Sequence, residues 1–132
     1  MRAGTERLPD LDTMDAIARA ALETIPEELR GYVTNVVIRI ADFADDQILD
    51  EMGIRDPYEL LGLYHGVSLD QKSMFDPVPG VDMIFLYRRP IAAYAEMTGD
   101  DLLHVIRHVL IHEIGHHFGL SDDDMEMIEE QT

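Results

Sequence analysis

The segment from Leu102 to Ile114 limits what this chain can fold into more than any other. Leu102, Leu103, Val105, Ile106, Val109, Leu110, Ile111 and Ile114 set apolar side chains almost all the way round a helix, and between Leu102 and His116 only Arg107 and Glu113 carry formal charge. A helix that is apolar on every side is stable only when other elements surround it, so the domain must be built around this one. Asp100 and Asp101, after Thr98-Gly99, supply an N-cap region and negative charge at the positive end of the helix dipole. Gly119 sits where a left-handed residue ends a helix and turns the chain back. A buried carboxylate without a partner is costly, so Glu113 needs a reason to lie inside.

The last turns of this helix read His112-Glu113-Ile114-Gly115-His116. Residues four apart share one helix face, so both imidazoles can point a ring nitrogen at one metal ion, and Glu113 stands beside them, placed to hold a water at the open position of that metal. Two histidine ligands and a glutamate general base are the working parts of a zinc peptidase. From the composition of this chain, H-E-x-x-H arises by chance in about 2 of 100 such sequences. The pattern continues through Gly119 to Asp122 as H-E-x-x-H-x-x-G-x-x-D, and the full spacing arises by chance in about 2 of 10,000. After the turn at Gly119, Asp122 could reach the open side of the metal. It also has a plainer use, because Ser121 is a good N-cap with Asp124 three residues on, and Asp122 and Asp123 fall in the favourable first turn of a following helix. Asp123 and Asp124 are the alternatives as ligand, or as acceptors for the second N–H of a ligand histidine.

Other residues have readings of the same two kinds. His104 and His108 continue the four-residue spacing, but each step drifts about 40° round the helix, so both read as core or partly exposed histidines, with His108 bordering the metal at most. His117 points away from the pair. Tyr64, His65 and Tyr87 are candidates to steady an oxyanion, or, for the tyrosines, cross-strand packing groups. Met125 and Met127 read as core contacts.

His112, Glu113, His116, Gly119 and Asp122 together resemble the elongated zinc motif of metzincin-like peptidases, in the variant where Asp replaces the third His. Leu60-Leu61-Gly62-Leu63-Tyr64-His65-Gly66-Val67, Leu86-Tyr87-Arg88-Arg89-Pro90-Ile91 and Gly119-Leu120-Ser121-Asp122-Asp123-Asp124 extend the likeness to the minimal zincins, small bacterial proteins classed with the zinc metallopeptidases. The resemblance implies a compact α+β domain with zinc (Zn) on its main helix, His112, His116 and Asp122 as metal ligands, and Glu113 as catalytic base. Metzincins also carry a methionine in a turn well after the motif, whereas Met125 and Met127 here fall on an expected helix.

The rest of the chain supplies the surroundings. Its length of 132 residues predicts one domain spanning 1–132, with residues 1–10 flexible. Helices are expected from Leu11 (capped by Asp12 or Thr13) to Pro26, from Asp42 to Met52, from Pro90 to Met97, and from Ser121 onward. A short turn is expected at Pro26 to Leu29, and strands over Val33–Ile40, Leu60–Val67 and Val81–Arg88, with a loop from Ser68 to Gly80. This predicts a small α+β fold, a short mixed sheet of about three strands with helices packed mainly on one face, including the metal-binding helix. There is no cysteine, so any metal must be held by histidines and carboxylates. No secretory leader and no membrane-spanning run are seen, which predicts a cytoplasmic protein. A net charge of −17 reads first as a solvated acidic surface; it argues against nucleic acid and anionic membranes as partners and fits a peptide or protein substrate, basic peptides best if charge selects at all. The function expected is peptide-bond hydrolysis by a zinc-bound water with Glu113 as general base. The alternatives are a catalytically silent, zinc-containing module that binds peptides or proteins, and an enzyme whose cleft a partner chain completes.

Overall fold

The computed structural model describes residues 8–33, 36–66 and 82–130. The expected flexible start up to residue 7, residues 34–35 of the first expected strand, Val67, the loop from Ser68 to Gly80 and Val81 lie outside the described residues.

Helix α1, Leu11–Thr24, is capped by Asp10, whose carboxylate accepts from the Thr13 amide at 2.8 Å, rather than by Asp12 or Thr13. Met14, Ala18 and Ala21 form its buried stripe. Pro26 restarts the chain as a single turn, α2, Glu27–Arg30. Strand β1 runs Val36–Ala41, and helix α3 runs Asp46–Met52, four residues later than its apolar spacing suggests. Asp42 is held instead by Arg88, whose Nε donates to its carboxylate at 2.8 Å, and Asp45 takes the cap by accepting from the Ile48 amide at 2.9 Å. A 3-10 turn, Pro57–Glu59, precedes strand β2, Gly62–His65. Strand β3, Asp82–Tyr87, runs directly into α4, Arg88–Thr98, so Pro90 stands in the first turn of that helix without opening it. Helix α5, Leu102–His117, and helix α6, Asp122–Glu130, complete the order.

The sheet order is β1-β3-β2. The central strand β3 is parallel to β1, with Ile38 opposite Ile84, and antiparallel to β2, with Tyr64 opposite Ile84. The fold is therefore α+β with a small mixed sheet, as expected. Ile38, Tyr64, Ile84 and Leu86 lie on one face of the sheet and join α1 and α5 in the main core. Leu63, Phe85 and Tyr87 alternate to the other face, where Ala44, Leu49 and Leu60 cover them. Helices thus pack mainly on one face, with α3 on the other. Val105, Ile106, Val109, Leu110, Ile111 and Ile114 of α5 are all buried, as a helix apolar on every side requires. Met125 is fully buried on α6, but Met127 is exposed, against expectation. No helix among the described residues is long and apolar enough to cross a membrane.

Two features set how α5 sits. A Cβ at Gly62 would stand 2.7 Å from Val109 Cγ1, so helix and edge strand approach more closely than any larger residue allows. Arg107 is buried at the other side of α5, where its Nε donates to Thr24 Oγ1 and its Nη1 to the carbonyl of Glu129, each at 3.0 Å. One guanidinium therefore ties the ends of α1 and α6 to the middle of α5.

Tyr87 is buried with its hydroxyl unpartnered among the described residues. Burial, then the charges of Asp45 and Glu113, push its phenol up to about 12. In the unfolded chain the phenol ionises near 10. Between these values the folded state holds a proton that the unfolded state has lost, so this contribution is complete below pH 10 and falls as the pH rises toward 12. Urea unfolding across this range is expected to show stability falling more steeply for the wild type than for Tyr87→Phe. Parallel pH dependences would contradict this account of Tyr87.

Candidate metal centre

The site is built from two helices that run back along each other. Helix α5 starts on Asp101, whose carboxylate accepts from the His104 amide at 2.7 Å. It ends with Gly119 at φ 81°, where the Gly119 amide donates to the His116 carbonyl at 3.2 Å and the Leu120 amide to the Gly115 carbonyl at 2.8 Å. That pair of bonds is a Schellman closure, which satisfies the last carbonyls and reverses the chain. Ser121 then starts α6: its hydroxyl accepts from the Asp124 amide at 3.0 Å, and its own amide donates to the Asp124 carboxylate at 3.4 Å. Asp124 is occupied as the capping-box residue, which leaves Asp122 free of that task. Behind the closure, a Cβ at Gly115 would stand 2.7 Å from Met125 Cγ, so this glycine lets α6 lie close against α5.

Residues seven apart on a helix lie on nearly the same side, about 10 Å apart along the axis. Asp122 and Glu129 are so placed on α6, and His108, His112 and His116 step along the facing side of α5. The reversal therefore sets the two carboxylates against the three imidazoles. Near the turn, His116 Nε2 is 3.8 Å from Asp122 Oδ1. Two turns away, Glu129 bridges two rings: Oε1 lies 2.9 Å from His112 Nε2 and Oε2 lies 2.7 Å from His108 Nδ1. The His108 and His112 ring centroids are 4.1 Å apart, and those of His112 and His116 5.8 Å. Burial alone would raise the carboxyl of Glu129, but the hydrogen bonds and charges of His108 and His112 outweigh it and hold it below its ordinary value.

Glu113 faces the sheet. Its Oε1 accepts from the amide of Tyr64, on edge strand β2, at 3.2 Å. The close approach at Gly62 and Val109 brings this about, since Glu113 is one helical turn beyond Val109 and Tyr64 is two residues beyond Gly62. Burial raises the Glu113 carboxyl above the ordinary range, with the Tyr64 amide and His116 pulling only partly the other way. The cost of a half-buried carboxylate is thus met by a backbone donor on the sheet.

Tyr64, His65 and Tyr87 differ in their surroundings. The Tyr64 hydroxyl donates to Asp82, and its ring stacks on His117 with centroids 4.1 Å apart. His65 is exposed, and Tyr87 is buried on the far side of the sheet. Glu129 and its link to His108 are what reading the chain as a string misses. The signal was present in the seven-residue step from Asp122 to Glu129, but it has meaning only once the direction of the hairpin is known.

Among the described residues, His108 Nδ1, His112 Nε2 and a Glu129 oxygen all lie within 4.8 Å of one another, close enough to hold one metal ion. Imidazole nitrogen and carboxylate oxygen without thiolate is a donor set that zinc accepts, and both this cluster and the set His112, His116 and Asp122 offer it. No curated protein matches the chain. The sequence profile of zincin-like metallopeptidases matches residues 33–132, which takes in the whole sheet and every histidine discussed above. This chain belongs to the zincin-like metallopeptidase family.

Proposed function

We propose that the protein is a zinc-dependent metallopeptidase that hydrolyses peptide bonds, with His112, His116 and Asp122 as the zinc ligands and Glu113 as the general base. The observation that carries this reading is the bond from the Tyr64 amide to Glu113 Oε1 at 3.2 Å, one residue from the histidine pair. Zinc, when bound, supplies a Lewis acid that polarises a carbonyl and lowers the pKa of water. Glu113 is oriented by the sheet through Oε1, which leaves Oε2 to accept the proton of the attacking water and pass it to the leaving amine. The buried helix that carries His112 and His116, and the 3.8 Å between His116 Nε2 and Asp122 Oδ1 after the Schellman turn, support this set. Strand β2 is at the sheet edge, where an extended substrate can lie along it. The charge of −17 favours basic peptides and repels nucleic acid and anionic membranes.

Removing the metal with a chelator is expected to abolish cleavage, and one equivalent of zinc is expected to restore it while magnesium does not. Cleavage by the metal-free protein would contradict the proposal. The contact of Glu129 with His112 favours a second reading, a silent zinc-containing binding module, because a carboxylate already occupies the ring nitrogen that an open zinc site would use. Zinc binding with no cleavage of any peptide supports that reading.

A further inference from the structure

We infer that His108, His112 and Glu129 form a second cation position, for a divalent ion of the zinc class, which competes with the proposed catalytic position for His112. Three observations carry it. The donor atoms converge, with Glu129 offering one oxygen to His108 Nδ1 at 2.7 Å and the other to His112 Nε2 at 2.9 Å. The carboxylate is positioned from behind, since Arg107 holds the Glu129 carbonyl at 3.0 Å from inside the core. The cluster is also reachable, because the His108 side chain is 44% exposed while those of His112 and Glu129 are only 27% and 21% exposed. Two imidazoles and a carboxylate make the same donor chemistry as the proposed catalytic set, so the two positions bind the same class of ion.

The positions exclude each other. His112 turns Nε2 toward Glu129, and one ring nitrogen has one lone pair for one metal. An ion held by His108, His112 and Glu129 therefore takes His112 away from His116 and Asp122. As the ion enters, each ring releases any proton on the nitrogen that faces Glu129, to its other nitrogen or to solvent, so the exchange requires no further reactant. This position depends on the α6 hairpin and not on peptide hydrolysis.

The test is titration of the metal-stripped full chain with Co(II), followed by visible absorption and by metal content after desalting, with circular dichroism to confirm folding. In the His116→Ala/Asp122→Asn variant the proposed catalytic set is disabled, and one Co(II) per chain is still expected to bind with a low-symmetry visible spectrum. Adding Glu129→Gln is expected to weaken that binding by at least about tenfold. If the triple variant unfolds, His108→Ala in the same double background carries the same expectation at an exposed side chain. The wild type is expected to bind one Co(II), and His112→Ala to weaken both positions. The inference is overturned if the folded double variant binds no Co(II), or if the further substitution leaves its binding unchanged. No cleavage is read, so a protein that hydrolyses nothing would leave this result as informative as before.

Discussion

Glu113→Gln is expected to lower peptide cleavage by about a thousandfold, the middle of the range for loss of a positioned general base. The substitution keeps shape and removes only the capacity to accept a proton. The amide oxygen of glutamine can still receive the Tyr64 amide, so the link between helix and sheet survives. Glu113 is not among the proposed ligands, so zinc affinity is expected to stay within a few-fold. The loss is expected in kcat, with KM nearly unchanged, because proton transfer strengthens only in the transition state. Stability is expected to hold or rise, since a carboxylate whose ionised form burial disfavours becomes a neutral amide. Steady-state kinetics, zinc content and a thermal melt on the same preparation check all three. A variant that cleaves as the wild type does would remove Glu113 from the chemistry.

The largest stability effect is expected from the same helix. Leu110 is fully buried in the main core that α1, the sheet and α5 share, and Leu110→Ala is expected to cost about 3 kcal/mol from lost burial and the cavity left behind. Against a total stability of about 5–15 kcal/mol this is a large share. It corresponds to a fall in Tm of about 10 °C for a chain of this size. Leu103 stands on the same helix at 41% exposure, and Leu103→Ala is expected to cost less than about 0.5 kcal/mol. Urea unfolding of the two variants measures the contrast, with the midpoint expected to move for Leu110→Ala at unchanged slope. Equal costs would mean that α5 is not the enclosed centre of the fold.

What was legible in the sequence follows from what is local. The apolar circumference of α5, its histidine spacing and the closing Gly119 are all set by residues within one or two turns, and each reappears in the structure. The parallel pairing of β1 with β3 was not legible, because nothing within either strand states its direction relative to the other. The start of α3 was misplaced because apolar spacing cannot see Arg88, 46 residues away, holding Asp42 out of the helix. The cap of α1 was placed two or three residues late, since Asp10, Asp12 and Thr13 are all able acceptors and only the backbone path chooses among them. Met125 and Met127 look alike in sequence and take opposite sides of a helix whose packing partner, Gly115, lies in the preceding one. Glu129 was missed for the same reason: it meets His108 and His112 only because the chain reverses at Gly119. Long-range decisions of this kind set both the fold and the half of the candidate metal centre that lies on α6.

The account is tested most directly by exposing a diverse peptide library to the zinc-loaded protein and to its Glu113→Gln variant, with products read by mass spectrometry. Cuts made by the wild type and missing with the variant are the predicted result, enriched beside basic residues if the acidic surface selects substrates. No cuts by a protein confirmed to hold zinc, or the same cuts by both, would contradict it.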